Sequence, residues 1–189
     1  MKKLTILVDA DDTIEGLLKA WLGVLNWKDH TNVKSEDAVA WDIETLFPNL
    51  TEEQIYRPLL RNEFWGLVDP IEGAVENLQK IYDDGHDIYI VTASHYQSLQ
   101  GKMERLIFRH FPFIDWEHVI ITSHKQLIHG DILVDDAPHN LVGGAYRKLL
   151  MTAPHNKSYD AEANGMTRVN TWDEIYKEVC KEANKHMEE

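Results

Sequence analysis

The stretch LTILVDADDT, Leu4 to Thr13, constrains this chain more than any other. Five residues suited to a strand buried on both faces, Leu4, Thr5, Ile6, Leu7 and Val8, run straight into Asp9, Asp11 and Asp12. Short apolar runs of this kind build parallel strands covered on both sides, and open α/β sheets bind their ligands at the carboxyl ends of such strands. Acids there either cap the next helix, for which Asp12 or Thr13 would suffice, or line a site. The partners supplied by the rest of the chain decide between the two.

The next good strand is His86 to Thr92 (HDIYIVT), about 75 residues on. A crossover between parallel strands needs only about a dozen residues, so a segment has been inserted. The insertion reads as helical: Leu17, Leu18, Trp21, Leu22 and Leu25 recur at helical spacing, and Thr51 with Gln54 forms a capping box for a helix toward Leu60. We place it from Glu15 to Trp65, a small helical cap on the carboxyl edge of the sheet, leaving 1–14 and 66–189 as the α/β core. Asp69-Pro70 opens the crossover helix, expected from Ile71 to Tyr82 and closed at Gly85. Leu99, Met103, Leu106, Ile107 and His110 share one helix face, and further strands are expected at Val119–Ile121, Ile132–Val134 and around Leu149–Met151. A last helix starts at a Thr171/Glu174 capping box and turns Trp172, Ile175, Tyr176, Val179, Cys180 and Ala183 inward. This alternation predicts an α/β fold with a doubly wound parallel sheet.

Composition narrows the partners. A formal net charge of −13 argues against a grip on a nucleic-acid polymer, which rests on Lys and Arg neutralising many phosphates. A small anionic substrate stays open if a cation offsets the repulsion. One cysteine, Cys180, excludes an intrachain disulfide framework and fits a reducing compartment. The apolar run behind Met1-Lys2-Lys3 is too short for a secretory signal, and no stretch is long enough to span a bilayer. The expectation is a cytoplasmic protein with no membrane partner, a monomer or a homodimer.

Four strand ends carry the chemistry. The first presents Asp9-Ala10-Asp11-Asp12-Thr13, the second Thr92-Ala93-Ser94 and the fourth Asp135-Asp136, while Lys125 follows the third. In a parallel sheet all of these face one edge. A carboxylate approaching a phosphate is repelled by about 4 kcal/mol per charge pair at about 4 Å in an effective dielectric near 20. Mg²⁺ removes that objection, because it takes one or two carboxylates plus substrate phosphate, which Asp9 and Asp136 could supply. Thr92 and Lys125 would hold the other phosphoryl oxygens. Asp11, two residues beyond Asp9, could serve as acid for the leaving alcohol and as base for water. The ten histidines show no H-E-x-x-H spacing, and no G-x-x-x-x-G-K is present.

Asp9-x-Asp11-x-Thr13, Thr92, Lys125 and Asp135-Asp136 match in order the four motifs of the haloacid dehalogenase superfamily of phosphatases. Phe64 to Leu78, Ile88 to Ser94 and Ser123 to Leu141 resemble the 5′(3′)-deoxyribonucleotidases in wording and spacing. The resemblance implies an aspartyl-phosphate intermediate on Asp9, acid/base work by Asp11, and Mg²⁺ held by Asp9, the Asp11 backbone carbonyl and Asp136, with Asp135 orienting the last. It sets Ala93 with Thr92 and Lys125 at the phosphate, and makes Trp41 and Trp65 candidates to stack on a nucleobase. The chain departs from the family at Asp12, Ala93 and Ala137, where Gly, Ser and Arg are frequent; Asp12 reads best as a helix cap. The implied activity is a phosphomonoesterase acting on a nucleoside monophosphate, with a phosphatase for another small metabolite as the alternative. A response-regulator receiver would carry its acidic pair before the acceptor Asp, the reverse of the order here.

Overall fold

The computed structural model describes residues 2–40 and 42–185. Among these, one parallel sheet contains β1 (Thr5–Val8), β2 (Asp87–Thr92), β3 (Val119–Ile121), β4 (Ile132–Asp135), β5 (Arg147–Met151) and β6 (Thr167–Val169), in the order β3-β2-β1-β4-β5-β6. The first strand is central: Ile6 lies opposite Ile88 on one side and Ile132 on the other. Strand order reverses across β1 and β4, and the crevice at such a reversal is where doubly wound sheets place ligands. Side chains alternate as the pleat requires. Ile6, Val8, Ile90 and Val134 join one buried cluster, and Leu7, Val91, Leu133 and Leu150 the other. Burial on both faces explains why these strands read as continuous apolar runs. The sixth strand, Thr-Arg-Val at the sheet's edge, has only Val169 buried and gave no such run.

Between β1 and β2 lie α1 (Leu17–Asp29), α2 (Ile43–Leu46) and α3 (Glu52–Tyr56), followed by 3₁₀ turns at Arg57–Leu60 and Phe64–Leu67. Helix α1 buries Leu17, Leu18, Trp21, Leu22 and Leu25. The Thr51–Gln54 box at the start of α3 is formed in both directions, at 2.8 and 3.3 Å. Regular helix stops at Tyr56 rather than reaching Leu60, since Pro58 has no N–H with which to extend the ladder. The outgoing and returning chain are tied together: Gly16 N donates to Asp69 O and Ile71 N to Ile14 O, both at 2.9 Å. Trp21, Leu25, Phe47, Ile55 and Phe64 belong to the same buried cluster as one face of the sheet, so the insertion shares the core.

The crossover helix α4 (Ala74–Asp83) starts three residues later than Ile71, because Gly73 turns the chain at φ +77° first. Beyond β2 the helical stretch is not uniform: α5 (Leu99–Lys102) passes through a π segment, Met103–Ile107, into α6 (Phe108–His110). After β4 comes α7 (Pro138–Leu141), and the chain closes with α8 (Trp172–Asn184). Thr171 Oγ1 accepts from Glu174 N at 3.2 Å, but the Glu174 carboxylate turns to Asn170 N at 2.6 Å, one residue before the expected partner. Cys180 and Tyr176 are half-buried at the rim of the α8 stripe. No helix among the described residues is long and apolar enough to cross a membrane.

Candidate active site

Asp9 leaves the end of β1 with its amide bonded to Val134 O at 2.9 Å, which presses it against the end of β4. The residue is 6% exposed. Lys125, itself buried, donates to Asp9 Oδ1 and, at 2.6 Å, to Asp135 Oδ2. The other oxygen of Asp135 accepts from Ala137 N at 2.9 Å and Asn140 Nδ2 at 3.1 Å, so both of its oxygens are occupied. Asp136 is held from its backbone instead: its carbonyl accepts from Asn156 Nδ2 at 2.6 Å, and its buried Oδ2 has no hydrogen-bond donor among the described residues, with His155 Nε2 3.2 Å away. Carboxylate oxygens of Asp9, Asp135 and Asp136 lie within 4.8 Å of one another.

Burying acids this closely together shifts them. Burial, then Asp135, pushes both Asp9 and Asp136 well above the usual carboxylate range. Burial also works against the Lys125 ammonium, but Asp9 and Asp135 outweigh it and hold Lys125 at about 12. Asp12 is raised to about 8 by burial and by Asp136. Its carboxylate accepts from Leu18 N at 3.0 and 3.2 Å, the helix-capping role expected of it.

Asp11 sits in a different field. Burial opposes its charge, but the Lys102 ammonium, 2.6 Å from Oδ1, holds it below the usual value. Lys102 also donates to Thr92 Oγ1 at 3.1 Å, and Thr92 Oγ1 is 3.0 Å from Ser94 Oγ. Ser94 thus brings a hydroxyl to the strand end that Ala93 lacks. Ala93 is exposed and lines a cavity of about 290 Å³ shared with Asp11, Leu17, Tyr56, Leu60 and Trp65. Trp65 is 3% exposed, anchored by Nε1 to Leu59 O at 3.2 Å. Trp41 lies outside the described residues. Asp9, Asp135, Asp136 and Lys125 therefore form one cluster, while Asp11 and Thr92 are joined through Lys102.

A family described as 5′ nucleotidase, deoxy (pyrimidine), cytosolic type C protein matches residues 2–185. The chain belongs to that family. It is 34% identical over 181 residues to a 5′(3′)-deoxyribonucleotidase of Bacillus subtilis (strain 168), covering 95% of this chain and 99% of that protein. A 5′(3′)-deoxyribonucleotidase of Clostridium acetobutylicum is likewise 34% identical, over 95% and 96% of the two chains. Among solved structures, a haloacid dehalogenase-like family hydrolase of Streptococcus pneumoniae superposes with a TM-score of 0.64 at 14% identity, over 94% of this chain and 98% of that one. The deoxyribonucleotidase-family chain is thus a phosphatase on the haloacid dehalogenase fold.

Lys102, Glu15, His155 and Asn156 stand in this deoxyribonucleotidase-family site without having been singled out from sequence. Lys102 carried a usable signal, since it falls three residues after Leu99 and four before Leu106, on the face those residues bury. Glu15 carried none: a single acid just past the aspartates reads as the start of the insertion, yet it is fully buried. His155 and Asn156 follow β5 in a polar loop that only the tertiary fold brings to Asp136.

Proposed function

We propose that this enzyme hydrolyses a deoxyribonucleoside or ribonucleoside monophosphate, with Asp9 as nucleophile, Asp11 as acid and base, and Mg²⁺ as cofactor. The observation that carries the reading is the setting of Asp9 at the end of β1: Lys125 ties down Oδ1 and not Oδ2, beside the buried carboxylates of Asp135 and Asp136. Oδ2 attacks phosphorus as the bond to the ester oxygen breaks, giving an aspartyl phosphate and an alcohol. Asp11 delivers the proton to that oxygen. The dianionic phosphate beside it favours its protonated form, offsetting the pull of Lys102. The Asp11 carboxylate then takes a proton from the water that attacks the aspartyl phosphate, which releases inorganic phosphate and regenerates Asp9. Thr92, the backbone at Ala93 and Lys125 hold the phosphoryl oxygens through the transfer.

The donor set suits a hard divalent cation. It consists of oxygens, Asp136 Oδ2 is buried without a hydrogen-bond donor among the described residues, and Asp9 and Asp136 are raised by burial and by neighbouring acids, a strain that a cation relieves. Asp9, the Asp11 carbonyl oxygen and Asp136 would hold it, with Asp135 fixing Lys125 and the chain beside them. When bound, Mg²⁺ supplies positive charge against the repulsion between carboxylate and phosphate. The nucleotide is favoured by the relatives' names and by the largely apolar cavity beside Asp11, where Leu17, Leu60, Tyr56 and Trp65 can receive a base. Phosphate release from a panel of nucleoside monophosphates and sugar phosphates, with Mg²⁺ and with chelator, tests this. Turnover confined to nucleotides with Mg²⁺ is expected; cleavage of sugar phosphates alone would overturn the substrate, and undiminished turnover in chelator the cofactor.

A further inference from the structure

We propose that Lys102 is a positioning residue: it fixes the direction of the Asp11 carboxylate for proton transfer to the leaving alcohol. This rests on the reading of Asp11 as the general acid. Lys102 is 0% exposed. Its ammonium meets Asp11 Oδ1 at 2.6 Å, Thr92 Oγ1 at 3.1 Å and Glu15 Oε1 at 3.8 Å, and lies 4.9 Å from the centre of the Trp65 ring. Burying an ammonium is costly, and a methionine of similar length would fill the space without that cost. The polar partners are what a methionine could not replace.

A carboxylate with one oxygen fixed to a rigid donor has the direction of the other oxygen set as well, and general-acid efficiency depends on that direction. The donor is rigid because its helix is pressed against the insertion. Gly101 N donates to Asn62 Oδ1 at 3.1 Å, and a Cβ at Gly101 would come within 2.5 Å of Asn62 Cα. Trp65, across the ammonium, belongs to the same insertion, so Lys102 joins the wall of the substrate cavity to the acid/base and to Thr92. Lys125 performs a different task, since it contacts Asp9 and Asp135 and not Asp11.

The test compares kcat/KM for a deoxyribonucleoside monophosphate, whose alkoxide must be protonated as it leaves, with that for p-nitrophenyl phosphate, whose phenolate leaves unaided. Lys102→Met should lower the first about 100-fold, the order of loss expected for a misplaced catalytic group, and the second less than about 5-fold. Lys102→Arg keeps the charge, alters the geometry and should show the same split, so it decides the matter if the methionine variant does not fold. Asp11→Asn is the reference. Equal losses on both esters, or no loss on either, would overturn the role of Lys102. If Asp11→Asn shows no split, the reading of Asp11 fails and the proposal with it; if Asp11→Asn splits and the Lys102 variants do not, only the proposal fails.

Discussion

Three aspartates within four positions meet three different environments, and Asp12 shows how much a backbone turn decides. At φ +52° its side chain takes Leu18 N, six residues on. Asp12→Ala removes that acceptor and leaves a Cβ residue at positive φ, for an expected loss of about 1–2 kcal/mol in urea unfolding. Asp12→Asn keeps an acceptor oxygen and tolerates the backbone. Its effect should depend on pH: a carboxyl raised from 3.8 to about 8 contributes stability that is fully present below pH 3.8 and lost as pH rises through about 8. In metal-free buffer, Asp12→Asn should therefore gain on the wild type between about pH 5 and about pH 8.5; a constant difference would contradict this. Asp9, Thr92 and Asp136 were legible in the sequence because each ends an apolar run. Lys102 carried only a positional signal, its place on a buried helix face, which is easily read as an amphipathic stem reaching solvent.

The elements were legible to the extent that burial imposed a period on them. The first, second and fourth strands are covered on both faces and stood out; β6, with one buried residue, left no trace. The stretch from Leu99 to His110 reads as one helix, and nothing in its spacing announces the π segment at Met103–Ile107. That helix also packs tightly against the insertion, at Gly101 against Asn62. Gly101→Ala must push backbone apart, so unfolding in urea should show a loss of about 1–3 kcal/mol, the cost of overpacking. Because Lys102 is the next residue, nucleotide turnover should fall with it. An unchanged midpoint would mean that the two segments separate freely.

On the scale of the molecule, the −13 charge is not spread evenly: the Asp9, Asp135 and Asp136 cluster concentrates acid at the crevice where strand order reverses. If Asp9 and Asp136 hold Mg²⁺ as proposed, their raised carboxyls must lose a proton first, so the affinity should rise with pH. The increase in Tm produced by Mg²⁺ should be larger at about pH 8 than at about pH 5.5; an increase that shrank with pH would contradict the account. The insertion shares one buried core with the sheet, and paired backbone at Ile14–Gly16 and Asp69–Ile71 ties the two where the chain crosses. That arrangement holds Trp65 and Tyr56 beside Asp11, which sequence spacing alone could not place. Everything converges on one carboxylate oxygen of Asp9, and the most direct measurement is to trap it. Enzyme mixed with a deoxyribonucleoside monophosphate and Mg²⁺, quenched and reduced with borohydride, should carry homoserine at residue 9 in the mass spectrum of its peptides. Phosphate release with Asp9 left unmodified, or with Asp9→Asn fully active, would contradict a covalent route through this residue.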